Sequence, residues 1–190
     1  MRGLDPRNAW RPSKQQIADA AGARVTDVIA PDLSVLFVGI NPGLYSGAVG
    51  HHFARPGNRF WKTLHLAGFT DRALSPFEER ELLRHGVGIT NLVERASAGA
   101  DEISPQELRR GARRLERKVR RYEPAFVAFL GLGAYRTAYD RPTAVVGSQS
   151  ESIDRSIVWL LPNPSGLNAH YQLADLARAF TELRSAVSRR

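Results

Sequence analysis

Cysteine is absent from the 190 residues. That absence excludes disulfides, thiolate zinc sites, a thiol nucleophile and cysteine-ligated iron–sulfur clusters. No apolar run approaches the roughly 18 residues that read as a bilayer-spanning helix. The opening MRGLDPRNAWRPSK has charge but no apolar core of the kind a secretory signal needs, so a soluble cytoplasmic protein is expected. His51 and His52 are adjacent rather than at HxxxH or HExxH spacing, so no metal is expected. Internal repeats and low-complexity linkers are missing too, and the length suits one domain with a full core.

What the chain has in excess is positive charge. It carries 27 Lys+Arg against 19 Asp+Glu, a net charge of +8, with a pI near 10.5. Such an excess points to a polyanionic partner, nucleic acid first and a membrane surface second.

Short apolar runs alternate with helical patterns along the chain. Strands are expected at Ser34–Ile40, Val87–Val93, Ala125–Leu130 and Ile157–Leu161. Helices are expected at Asn58–Ala67, Ser75–Arg84, Ser104–Tyr122, Leu132–Tyr139 and Leu173–Val187, with Ser-Pro-x-Glu capping patterns opening the second and third. Residues 1–23 read as a mobile arm, with Ser13 a candidate N-cap, ahead of one folded unit over 24–190. The alternation predicts an α/β fold: a single-domain three-layer sandwich with a central, mainly parallel four-stranded sheet and helices on both faces.

Two expected strands end in Asn-Pro turns, Ile40-Asn41-Pro42-Gly43 and Pro162-Asn163-Pro164-Ser165-Gly166-Leu167. Asn, Pro and Gly are ordinary turn residues, and either turn alone carries no functional weight. In a parallel sheet, however, both turns emerge at the carboxyl edge, where loops form the ligand crevice. Between them lie a Gly-rich loop and Phe53, which is either core packing or a flat face on which a base can stack. The helix after Ser104 carries eight Arg and Lys residues around an apolar seam, either a phosphate track or a solvated outer face.

The segments GINPGL (39–44), FARPGNRFWK (53–62), GITNLVER (88–95) and LPNPSGLN (161–168) resemble the mismatch-specific uracil-DNA glycosylases, the Mug and thymine-DNA glycosylase branch of the uracil-DNA glycosylase superfamily. The resemblance runs from about Arg24 to the last helix. It implies hydrolysis of the N-glycosidic bond of uracil opposite guanine in duplex DNA, by base flipping and without a cofactor. It implies a monomer that leaves an abasic site for base excision repair. In that resemblance Asn41 positions the water, and Ile40, Gly43, Phe53 and Asn91 line the base pocket. Leu167 is the wedge that fills the vacated stack, with Asn163, Ser165, Gly166 and Asn168 around the orphaned guanine.

An amide cannot take a proton at neutral pH, so Asn41 would orient water rather than act as a general base. Gly43 stands where the faster members carry a Tyr, leaving an open wall that would admit larger bases, thymine or ethenocytosine among them. Asp101 or Glu94 is a candidate to supplement Asn41, the other reading of Asp101 being a solvated loop acid before the Ser104 cap. No lysine is expected in the pocket, hence no strand-cleaving lyase step. The competing readings are a non-catalytic nucleic-acid-binding α/β module and a nucleotide-dependent α/β enzyme, the latter on the weak Gly131-Leu132-Gly133 signal.

Overall fold

A computed structural model of the chain describes residues 11–190. Its elements in order are α1 (Lys14–Asp19), β1 (Val35–Gly39), α2 (Leu44–Val49), α3 (Phe60–Leu66), β2 (Val87–Asn91), α4 (Pro105–Tyr122), β3 (Phe126–Leu130), α5 (Leu132–Tyr139), β4 (Gly147–Ile153), β5 (Ser156–Leu161) and α6 (Leu173–Ser188). Short 3₁₀ helices cover Pro76–His85 and Ala100–Glu102.

The sheet has five strands in the order β2-β1-β3-β5-β4, not the four expected. Four pair in parallel, and β4 runs antiparallel to β5 at one edge. The extra strand reads GSQSESI. With no apolar alternation it gives no strand signal, and its pairing with β5 is what makes it a strand. By contrast β1, β2 and β3 are buried at every position, so their apolar runs are continuous.

Alternate residues of β1 feed the two halves of the core. Val35 and Phe37 pack with Phe60 of α3 and Phe180 of α6, whereas Leu36 and Val38 pack with Leu115 and Val119 of α4 and Tyr135 of α5. Helices therefore cover both faces, as the α/β reading requires.

Residues 1–10 of the expected arm lie outside the described residues. Within its remainder, Ser13 caps α1 reciprocally with Gln16. The Gly22 N–H then donates to the Ala96 carbonyl, and the Ala96 N–H to that of Ala23 (2.9 and 2.7 Å). Two further differences concern helices: the Gly-rich stretch after β1 contains the six-residue α2, and the helix expected at Ser75–Arg84 is 3₁₀.

The start of α4 is drawn close to the end of β2. A Cβ at Gly111 would lie 2.2 Å from the Leu92 carbonyl oxygen and 2.8 Å from its carbon. The obstacle is backbone and cannot swing aside, so overpacking of about 1–3 kcal/mol should outweigh the ~1 kcal/mol of helix propensity gained. Gly111→Ala is therefore expected to lower stability by up to about 2 kcal/mol in urea or thermal unfolding; a stabilised variant would contradict this packing.

Candidate active site

The carboxyl ends of β1, β2, β3 and β5 surround a pocket of about 150 Å³, lined by both Asn-Pro turns: Asn41, Pro42 and Gly43 from one, Asn163, Ser165 and Leu167 from the other. Space of that size holds one six-membered ring, as a dry cavity of similar volume holds benzene. Gly131, at the end of β3 between the turns, has φ of +132°. A Cβ there would lie 3.3 Å from the Ile40 side chain, so glycine lets the turns converge.

Asn41 is fixed by a segment far away in sequence. Its Nδ2 lies 3.2 Å from the Arg95 carbonyl and 2.7 Å from Ser97 Oγ. Carbonyls only accept, so the amide nitrogen must face Arg95 and the oxygen must face away. Ser97 Oγ in turn donates to the Gly99 carbonyl at 2.7 Å, and the Ser97 and Leu44 amides stitch the two loops together through Pro42 and Ser97 carbonyls (both 3.1 Å). Asn41 Oδ1 has no hydrogen-bond partner among the described residues, leaving an acceptor for a molecule in the pocket.

Phe53 holds a left-handed backbone, φ 52°, and its ring lies 4.2 Å from that of Phe60, centroid to centroid. Its edge approaches Gly39, where a Cβ would be 3.3 Å from Phe53 Cζ and 2.3 Å from Asn91 Oδ1. Glycine at 39 thus makes room for the Asn91 amide, which is held by a buried histidine. His52 Nε2 lies 3.0 Å from the Thr26 carbonyl, so it carries the proton, and Nδ1 accepts from Asn91 Nδ2 at 3.3 Å. Burial holds the His52 pKa below its ordinary 6.5, against the opposing pull of Glu79. Glu79 accepts from the His52 N–H at 2.8 Å and pairs with His51 at 2.9 Å.

The second turn is shaped by its own side chains. Asn163 Oδ1 accepts from the Ser165 N–H, and Asn168 Nδ2 donates to the Asn163 carbonyl, both at 2.9 Å. Beneath it the half-buried Arg59 guanidinium donates to the carbonyls of Ser165 (2.5 Å), Asn168 (3.0 Å) and Tyr171 (2.5 Å). Gly166 rests on Gly57, whose carbonyl oxygen would be 2.6 Å from an added Cβ. Leu167, at the tip, is 71% exposed.

The structure thus brings Ile40, Asn41, Gly43, Phe53, Asn91, Asn163, Ser165 and Leu167 to one pocket. Gly166 stands exposed beside Leu167, and Asn168 lines the wider adjoining cleft of about 810 Å³. Asp101 also lines that cleft and not the pocket of Asn41; its carboxylate lies over Gly99. Glu94 pairs with Arg24 at 3.4 Å and Lys118 at 3.6 Å, away from the pocket. Sequence reasoning missed His52, Ser97 and Arg59. No group of metal-ligating side chains occurs among the described residues.

An α/β sheet whose strand ends present two polar turns over a pocket belongs to the class of folds that form their ligand crevice at the carboxyl edge. Residues 26–184 match the family model described as "Uracil DNA glycosylase superfamily". The chain belongs to that superfamily of DNA glycosylases. Its fold is similar to the solution NMR structure of a candidate uracil DNA glycosylase from Methanosarcina acetivorans. That match has a TM-score of 0.56 and 16% identity and covers 86% of this chain and 98% of the other. At that identity the likeness concerns the fold.

His52 supplies a test of the pocket's interior. A histidine buried neutral, with its pKa lowered, costs no stability above the unfolded value of about 6.5. Stability is lost as pH falls below that value toward the folded pKa, because the unfolded chain binds the extra proton. Unfolding midpoints of the parent should therefore drop between pH 7.5 and 5.5 more than those of His52→Gln; equal drops would show that His52 is not the titrating group.

Proposed function

We propose that the protein removes uracil from mismatches with guanine in duplex DNA, extruding the nucleotide into the Asn41 pocket and leaving an abasic site. The observation that carries this reading is the convergence of Asn41 and Leu167 on one ring-sized pocket. Extrusion costs roughly a few kcal/mol, least at a mismatched pair. Leu167 offsets it: a leucine held in water gains about 1.5–3 kcal/mol when buried, here in the gap left by the base. The base enters beside Phe53 and Asn91, with Asn91 Oδ1 turned toward Gly39.

The bond from C1′ to the base nitrogen then breaks, its electron pair leaving with the uracil anion. A water held by Asn41 Oδ1 adds at C1′, and its proton passes to solvent. The amide orients that water without taking its proton, so the chemistry is slow by design. A Cβ at Gly43 would meet nothing within 4 Å, which supports entry of bases larger than uracil on that side. The pocket lining contains no lysine, which supports hydrolysis without strand cleavage.

The deciding assay incubates the pure protein with chelator and duplexes containing G·U, A·U, G·T or single-stranded U, then scores alkali-labile sites. Release from G·U ahead of A·U is expected. Tight duplex binding with no release from any substrate would instead favour a non-catalytic binding module. Asn41→Ala should lower the single-turnover rate by at least about 100-fold. Leu167→Ala should weaken extrusion by about 10- to 100-fold while leaving affinity for abasic-site DNA intact; equal loss on both substrates would overturn the wedge role.

Asp101 and Glu94 are compared by the rates of Asp101→Asn and Glu94→Gln. Their places outside the Asn41 pocket predict rates within about 3-fold of the parent. A loss of two orders of magnitude in Asp101→Asn would give that carboxylate a part in the chemistry.

A further inference from the structure

The basic residues of α4 divide into two groups. Those turned inward have protein partners: Arg114 donates to the Leu92 carbonyl at 3.3 Å, and Lys118 pairs with Asp27 at 2.6 Å and donates to Thr90 at 3.2 Å. Six arginines turned outward have no carboxylate or hydrogen-bond partner among the described residues, though the Arg121 guanidinium lies 5.3 Å from the centroid of the Tyr122 ring. Arg109, Arg110, Arg113, Arg117, Arg120 and Arg121 are all exposed, and none pairs with a carboxylate or donates a hydrogen bond among the described residues. At 3.6 residues per turn they fall within a sector of about 120°, and Arg109 to Arg121 spans about 18 Å.

Arg109 and Arg110 stand four and three residues before Arg113, which is four before Arg117, itself three and four before Arg120 and Arg121, so the face holds like-charge pairs that weaken the helix. Glu116 lies close enough to Tyr139 of α5 for its charge to help burial raise the Tyr139 pKa, and it forms no ion pair with any of the six among the described residues. Glu107 is bound to Arg95 at 2.6 Å. Glu116, three residues after Arg113 and four before Arg120, offsets only part of this repulsion, and six exposed guanidinium groups without a paired carboxylate suit an external polyanion. The apolar seam of α4, with Leu108, Leu115 and Val119, is buried against the sheet. The exposed sector therefore offers charge and no apolar surface, which suits phosphates in a row rather than a lipid interface.

We propose that this face binds the backbone of duplex DNA at a second site, outside the segment that holds the extruded base. Ser97–Ala100, which line the pocket, lie just before α4, and the helix ends where β3 begins, at the opposite edge of the sheet. The arginine row thus leads away from the pocket along about five phosphate steps of one strand. A second duplex segment held there keeps the protein on DNA while the pocket samples base pairs. The inference rests on the DNA reading above.

The test uses the full chain and Arg113→Gln/Arg117→Gln/Arg120→Gln, with Arg117→Gln alone as a lighter variant. Affinity for an undamaged duplex is measured across a salt series, and base release from a short G·U duplex under single turnover. Each lost phosphate contact flattens the log–log salt slope by about 0.9, so the triple variant should lose about 2–3 units and the single one about 1. Release from the short duplex should be unchanged. Paired release of two uracils on one long duplex, in a single encounter at low salt, should fall for the triple variant.

An unchanged salt slope in both variants overturns the proposal, as does binding to phosphatidylserine vesicles that the substitutions abolish while DNA affinity stays the same. A flattened slope in a protein whose parent releases no base leaves this surface standing and removes the glycosylase reading instead.

Discussion

Asn41 can offer an oxygen to the pocket because its nitrogen is held elsewhere. A free carboxamide would turn either end toward the open space, and a donor there would bind a water with the wrong polarity. The Arg95 carbonyl and Ser97 hydroxyl remove that freedom (3.2 and 2.7 Å). The strand ends place the two prolyl turns, but the orientation of this one amide is set by a loop more than fifty residues further along. On the proposed reading the order of the 95–99 segment is thus a condition of the chemistry rather than a by-product of the fold.

Arg59 plays the corresponding part on the other side. A guanidinium that meets several carbonyls and no carboxylate keeps its charge while binding backbone. The turn it holds is organised before any partner arrives, and ordering cost is removed from association. His52 does for Asn91 what Ser97 does for Asn41: a neutral ring with its proton committed to Thr26 leaves one acceptor, and the amide must present its nitrogen to it. Two pocket amides and one turn are therefore each held by a residue from a separate stretch of chain.

That pattern explains what could be read in advance. Buried strands such as VLFVG and FVAFL announce themselves because both faces are covered, and Ser104-Pro105 marks the start of α4 by local capping chemistry. The convergence of Asn41 with Leu167 followed from topology, since turns after parallel strands share an edge. The positioning side chains were hidden because their meaning lies in long-range partners: Ser97 is fifty-six residues from Asn41. Strand β4 was hidden because its polar, alternately exposed residues GSQSESI look like a loop until β5 lies beside them. The place of Asp101 was hidden as well, because the short 3₁₀ turn over Ala100–Glu102, which sets it in the adjoining cleft, has no mark in residue type alone.

The contact between Gly166 and Gly57 carries one more consequence. With the Gly57 carbonyl occupying the place a methyl group would take and the guanidinium of Arg59 fastening the same turn from beneath, the turn that carries the leucine tip is backed by the protein. On the proposed reading it meets the double helix as a rigid spur. The mechanical strain of the encounter must then be taken up by the nucleic acid, so that how readily a given sequence bends becomes part of what the protein selects.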